Sequence, residues 1–221
     1  MSVRGRVAID RDQEASPFSA ILRRLCEGCS AHAAALVDRE GETVDYAGRL
    51  SPYEIRVAAA ELRLVLAFTR SANVPGFSEV REIRVRTGRR SYAIVGLGDG
   101  YAIVLELARY CFSLSPRAIL QATRELESEA GIASVLSPGG TRWSRVQVRP
   151  SGTDPRRPEA LWLDGAWQSV TVLGRYQSGD LAPRERGYLA RLANGAECSL
   201  VREPLGFWYA DELSGAEAGD G

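Results

Sequence analysis

An α+β domain followed by a small all-β domain is the fold class that the sequence predicts, and three observations carry it. The apolar pattern of the first part runs helix, strand, strand, helix, strand, strand, strand, helix. The second part offers short strand-like runs separated by turn residues. The tryptophans Trp143, Trp162, Trp167 and Trp208 all lie in that second part, and the breaker run Ser137-Pro138-Gly139-Gly140-Thr141 precedes them. The expected organisation is an arm over 1–16, an α+β domain over 17–136, a linker over 137–142, a small β-barrel over 143–213 and a disordered tail over 214–221. The tail is composed of small and acidic residues.

Taken in order, Phe18, Ile21, Leu22 and Leu25 make a helical stripe. Ala33 to Val37 reads as a buried strand, Arg39-Glu40-Gly41 as a turn, and Glu42 to Ala47 as the partner strand of a hairpin. Ser51-Pro52-Tyr53-Glu54 is a helix start, with Ser51 at the N-cap, Pro52 at N1 and Glu54 completing a capping box. The helix runs to about Ser71, ahead of Asn73, Pro75 and Gly76. Ile55, Ala59, Leu62 and Leu66 form one face, while Val57, Ala58, Val65 and Phe68 spread around the cylinder. So wide an apolar surface must be covered on more than one side, and a second subunit is the economical cover. Val80 to Val85, Ser91 to Leu97 and Tyr101 to Leu107 read as three further strands, joined by turns at Thr87-Gly88-Arg89-Arg90 and Gly98-Asp99-Gly100. A last helix begins at Ser115-Pro116 and ends near Ala130. Beyond the breaker, strands are expected at Arg145 to Val148, Ala160 to Leu163, Ala166 to Leu173, Tyr188 to Leu192 and Ala196 to Val201, with hairpin turns at Asp164-Gly165 and Ala193-Asn194-Gly195.

Composition excludes several function classes. The chain has 221 residues, a formal net charge of +0 and an apolar fraction of 45%. A neutral balance argues against binding nucleic acid or an anionic membrane by bulk charge. All 28 basic residues are arginine. Without lysine there is no Walker A phosphate loop, no Schiff base for pyridoxal or class I aldolase chemistry, and no kinase lysine for the α/β-phosphates. With His32 as the single histidine, metal sites built on two or three imidazoles within one chain are excluded. No G-x-S-x-G elbow accompanies it. No apolar run reaches the length of a membrane span, and Met1 to Asp10 lacks a signal peptide's apolar region, so the expected compartment is the cytoplasm. Cys26, Cys29, Cys111 and Cys198 do not make a disulfide framework.

The element order, together with Ala33-Ala34-Ala35-Leu36-Val37-Asp38-Arg39-Glu40-Gly41 and Leu97-Gly98-Asp99-Gly100-Tyr101-Ala102-Ile103-Val104, resembles the Roadblock (dynein light-chain) family over Pro17 to Gly131. The resemblance implies a five-stranded antiparallel sheet with the central helix on one face and the terminal helices on the other. It also implies dimerisation through the central helix and an edge strand, and small Ras-like GTPases as partners. The bacterial relatives nearest in function are dimeric gliding regulators that stimulate a Ras-like polarity GTPase by holding its own residues in place, without an arginine finger. In the second part, Trp162-Leu163-Asp164-Gly165-Ala166-Trp167 with Val170 and Val172 resembles SH3-like barrels of the Tudor and Agenet type.

Nothing in the sequence assembles an active site: no catalytic residue, cofactor or metal is expected. Cys26-Glu27-Gly28-Cys29 falls at a helix end, where the dipole raises a thiol's pKa, so structural cysteines are expected ahead of zinc or redox chemistry with His32, Cys111 or Cys198. Gly96 to Gly100 precedes a strand, not a helix, and reads as a hairpin turn instead of a phosphate loop. Arg56, Arg63 and Arg70 recur at seven-residue spacing along one line of the central helix. They are the candidate contacts for an acidic patch on a GTPase, set against a merely solvated face. Ile55, Leu62 and Leu66 are the candidate dimer interface. Arg89 and Arg90, in a hairpin turn, are expected to be solvated. Arg145, Arg149, Arg156 and Arg157 surround a proline-rich loop beside Trp162; with the aromatics they offer a site for nucleic acid or an acidic peptide, and loop solvation is the plainer reading. The functional expectation is a non-catalytic dimeric regulator or adaptor of a small Ras-like GTPase, with a possible second protein partner for the C-terminal domain and neither membrane nor nucleic acid as partners. A pure scaffold without effect on GTP turnover, or a cysteine-based metal or redox sensor, are the alternatives.

Overall fold

The structure is a computed structural model and describes residues 12, 14–108, 114–134, 143–177, 181–182 and 184–211. The expected linker over 137–142, the tail over 214–221, most of the arm and Cys111 lie outside the described residues. The chain divides into two units, Met1–Leu114 with Ala118–Ser137, and Ser115–Arg117 with Pro138–Gly221.

In the first unit, α1 (Pro17–Cys29), β1 (Ala31–Val37), β2 (Thr43–Gly48), α2 (Pro52–Ser71), β3 (Glu82–Arg86), β4 (Ser91–Gly96), β5 (Ala102–Leu107) and α3 (Pro116–Ala130) follow the expected order. The five strands form one antiparallel sheet in the order β2-β1-β5-β4-β3. Strand alternation sorts the apolar residues between its two faces. Ala34, Leu36, Ile103, Leu105 and Leu107 join Leu22 and Leu25 of α1 and Leu126 of α3 in one core. Ala33, Ala35, Val37, Ala102 and Val104 join Ile55, Ala59, Leu62 and Leu66 of α2 in the other. The central helix therefore covers one face and the terminal helices the other. Glu82 opens β3, later than the expected Val80, because Val80 closes a short 3-10 turn over Phe77–Glu79. Gly98–Gly100 is the hairpin turn between the antiparallel strands β4 and β5.

In the second unit, β6 (Trp143–Pro150), β7 (Pro158–Leu163), β8 (Ala166–Tyr176), β9 (Arg186–Leu192), β10 (Glu197–Arg202) and β11 (Trp208–Asp211) close into an antiparallel barrel ordered β10-β11-β6-β7-β8-β9. Its core holds Leu161, Ala190, Leu192, Leu200 and Trp208. Asp164 and Gly165 both take positive φ, 51° and 82°, which matches the right-handed twist of the β7–β8 hairpin. The apolar pattern predicts five strands here; β11 is the sixth, and its pairing with β10 and β6 closes the barrel. Ser115–Arg117 belong to this unit. The Arg117 guanidinium lies 2.5 Å from Glu185 and 3.5 Å from Glu203, and 4.6 Å from the Trp143 ring centroid. Among the described residues, no helix is long and apolar enough to cross a membrane.

Candidate protein-interaction surface

Helix α2 begins as its first residues dictate. The Ser51 side chain accepts from the Glu54 N–H, and the Glu54 side chain accepts from the Ser51 N–H. The Glu54 carboxyl is held below the usual carboxylate range by its hydrogen bonds to Ser51 and Arg90. With the start fixed, helical spacing assigns every later residue to a face. Ile55, Ala59, Leu62 and Leu66 point at the sheet and are buried. Tyr53, Val57, Leu64 and Phe68 lie on the opposite side as a solvent-facing apolar row, and Phe68 is 70% exposed. Val65 stands beside them and is also exposed, as are Val74 and Phe77 beyond the helix.

This placement corrects the expected dimer interface. Ile55, Leu62 and Leu66 are consumed by the chain's own sheet, with Ile55 and Leu66 fully buried. The apolar surface that the chain itself leaves exposed is the row on the other side of the cylinder. Single exposed apolar residues are ordinary; an aligned row of four on one helix is a candidate interaction surface.

Arg56, Arg63 and Arg70 fall on the shoulder between the buried and exposed rows and are half-buried. Arg63 Nε donates to the Gly100 carbonyl at 3.0 Å, and Arg70 Nε donates to the Val80 carbonyl at 2.8 Å. Burial, with the charges of Arg63 and Arg81, pulls the Arg70 pKa below the usual arginine value. Arg63 and Arg70 therefore each tie α2 to a neighbouring turn of the chain. Arg56 keeps an open side: it pairs with Asp12 at 2.8 Å, lies 5.6 Å from the Tyr46 ring centroid, and is about as exposed as its carboxylate partner. Such an exposed pair adds little to stability and opens readily.

A second charged group sits at the start of α2. Arg90 donates to Glu54 at 3.0 Å and stands 3.5 Å from the buried Glu106, which is also 3.7 Å from His32 Nδ1. Burial raises the Glu106 carboxyl, partly offset by Arg90 and His32. A solvated turn residue is therefore the wrong expectation for Arg90; the pairing of β4 with β5 brings it to this carboxylate. Cys26 is buried beneath β2, with its Sγ 4.0 Å from the Ala47 carbonyl oxygen. Burial, reinforced by Cys29 and Glu27, pushes its thiol up to about 12, so it stays protonated at neutral pH and is a poor redox or metal ligand. Among the described residues, no cluster of three histidine, cysteine or acidic side chains is arranged to hold a metal.

Comparisons with known proteins follow the first unit. Myxococcus xanthus MglB is 20% identical, with 54% of this chain covering 98% of that one at a TM-score of 0.47. The first unit resembles a Roadblock domain. A gliding protein MglB from Thermus thermophilus is 18% identical, covered to 94%, with a TM-score of 0.46. A Roadblock/LC7 domain from Streptomyces avermitilis is 16% identical, covered to 93%, with a TM-score of 0.41. These Roadblock likenesses span about half of the chain. No protein-family model and no curated protein matches the chain.

Proposed function

We propose that the chain is a non-catalytic, homodimeric regulator of a small Ras-like GTPase that acts by protein contact. The observation that carries this reading is the solvent-facing row Tyr53, Val57, Leu64 and Phe68, set on a helix whose opposite face is already buried in its own sheet. Two copies of that row form a self-complementary interface about a two-fold axis. The Roadblock resemblance of the sequence supplies the partner class. Arg56, with its exchangeable pairing to Asp12, is the arginine of the stripe that stays available to an acidic GTPase surface. Regulation then rests on positioning the GTPase's own groups, which lowers a phosphoryl-transfer barrier without a residue donated in trans.

The test is GTP turnover by a small Ras-like GTPase that co-purifies with the tagged chain from its native source. Acceleration supports regulation. Binding without acceleration favours the scaffold reading, which uses the same surface. If no Ras-like GTPase is retained, the reading falls.

A further inference from the structure

The barrel carries a cationic cleft that the first unit's function does not use. At one end of β8 and β9, beside the 151–157 loop, a half-open cleft of about 680 Å³ is lined by Arg157, Arg175 and Arg186 together with Tyr176 and Tyr188. None of the three guanidinium groups has an ion-pair or hydrogen-bond partner among the described residues. The two carboxylates that also line the cleft are already engaged. Asp154 accepts from the Arg156 N–H at 2.9 Å. Glu185 accepts from Arg117 at 2.5 Å and from the Ala182 N–H at 2.8 Å. The loop is held in place over the barrel: Tyr188 donates its hydroxyl to the Arg156 carbonyl at 2.7 Å, and the Ser151 N–H donates to the Arg157 carbonyl at 2.8 Å.

We infer that this cleft binds an acidic peptide segment of a partner protein. Charge complementarity sets the sign of the ligand: three arginines without partners line a cleft that holds two carboxylates, and one of those, Glu185, is already paired with Arg117. The lining sets its form. The arginines come from three separate chain segments, with Val172 and Leu173 of β8 also in the wall. That mixture of forked donors, aromatic rings and aliphatic surface suits carboxylate side chains spaced along a peptide better than one compact phosphate group. Barrel mouths are favoured places for ligand sites, and this volume lies within the usual range for them.

The experiment is fluorescence anisotropy on the full chain with a fluorescein-labelled, Glu- and Asp-rich decapeptide. The control is the same peptide with Gln and Asn in place of the acids. The wild type should bind the acidic peptide alone and lose about tenfold in affinity between about 50 and 300 mM salt. The triple variant R157E/R175E/R186E should bind at least about tenfold more weakly, since each exposed charge contact contributes modestly. R191E, which breaks only the surface pair with Glu197, should bind as the wild type does. If triple reversal alters the barrel's tryptophan emission, the single variants R157Q, R175Q and R186Q carry the test, each weakening binding. Equal binding by wild type and cleft variants overturns the inference, as does a wild type that ignores the peptide. Inorganic tripolyphosphate binding where the peptide does not would make the cleft a phosphate site and equally overturn it.

Discussion

Replacing Leu64 and Phe68 together by glutamate separates the surface that covers α2 from the surface that folds it. Leu64 is 56% exposed and Phe68 70% exposed, so neither contributes much to the isolated chain. Fully burying one such side chain is worth about 1.5–3 kcal/mol, and scaling by exposure gives about 3 kcal/mol for the two. A two-fold interface counts each residue twice, so about 6 kcal/mol of association is at stake, which corresponds to about 10⁴-fold in the dissociation constant. Added like charges across the axis enlarge the loss. The fold itself should change by no more than about 0.5 kcal/mol, as for other surface substitutions. Leu66→Ala, on the buried side of the same helix, should instead cost about 2–5 kcal/mol of stability. The assay is sedimentation velocity for mass, paired with urea unfolding for stability. A double variant that remains dimeric, or that unfolds as readily as L66A, would refute the assignment of faces.

Two further outcomes follow from local chemistry. Cys26 and Cys198 titrate at about 12 and about 11 when folded, against an ordinary 9.0, because burial disfavours their thiolates. The folded chain then keeps protons that the unfolded chain releases, so this contribution is whole below about pH 9 and is lost as pH rises through the folded values. Urea midpoints measured between about pH 8 and 11 should fall, and the fall should flatten in C26A/C198A. Gly48 at the end of β2 has a φ of +119°, and a Cβ there would collide with the Ala33 Cα and the His32 carbonyl oxygen. Gly48→Ala should therefore cost about 2 kcal/mol or more, read as a lowered thermal midpoint; an unchanged midpoint would show that the hairpin relaxes freely.

Much of the fold is legible because local signals agree with the global arrangement. Ser51, Pro52 and Glu54 set the start of α2, and Asn73, Pro75 and Gly76 bound its end, so the whole helix is readable from its caps. Ala33 to Val37 and Ala102 to Leu107 are readable as strands buried on both faces, and strand geometry then sends their side chains alternately to α2 and to α1 and α3. Strand β11 is not legible in the same way, because Trp208–Asp211 is only four residues long and Phe207-Trp208-Tyr209 is a continuous aromatic run with no alternation. Its role depends on pairing with β6 across a long stretch of chain, which no local pattern announces.

The interaction surface is half legible for a similar reason. Sequence shows that α2 is apolar on more than one side, but not which side its own sheet takes. Ile55, Leu62 and Leu66 satisfy the stronger helical stripe, so the sheet claims them, and the weaker row of Tyr53, Val57, Leu64 and Phe68 is left exposed. The seven-residue spacing of Arg56, Arg63 and Arg70 correctly gives a line, yet that line borders the buried face. The Gly100 carbonyl that binds Arg63 comes from a distant hairpin turn, and the Val80 carbonyl that binds Arg70 closes the 3-10 turn just beyond the helix, neither of which helical spacing announces.

The mass of the full wild-type chain in solution, measured by sedimentation equilibrium at micromolar concentration, tests the central claim most directly. A two-fold assembly through the outer row of α2 predicts twice the chain mass, with a dissociation constant at or below that concentration. A single-chain mass across the whole concentration range would contradict it, leaving Tyr53, Val57, Leu64 and Phe68 uncovered by a second copy.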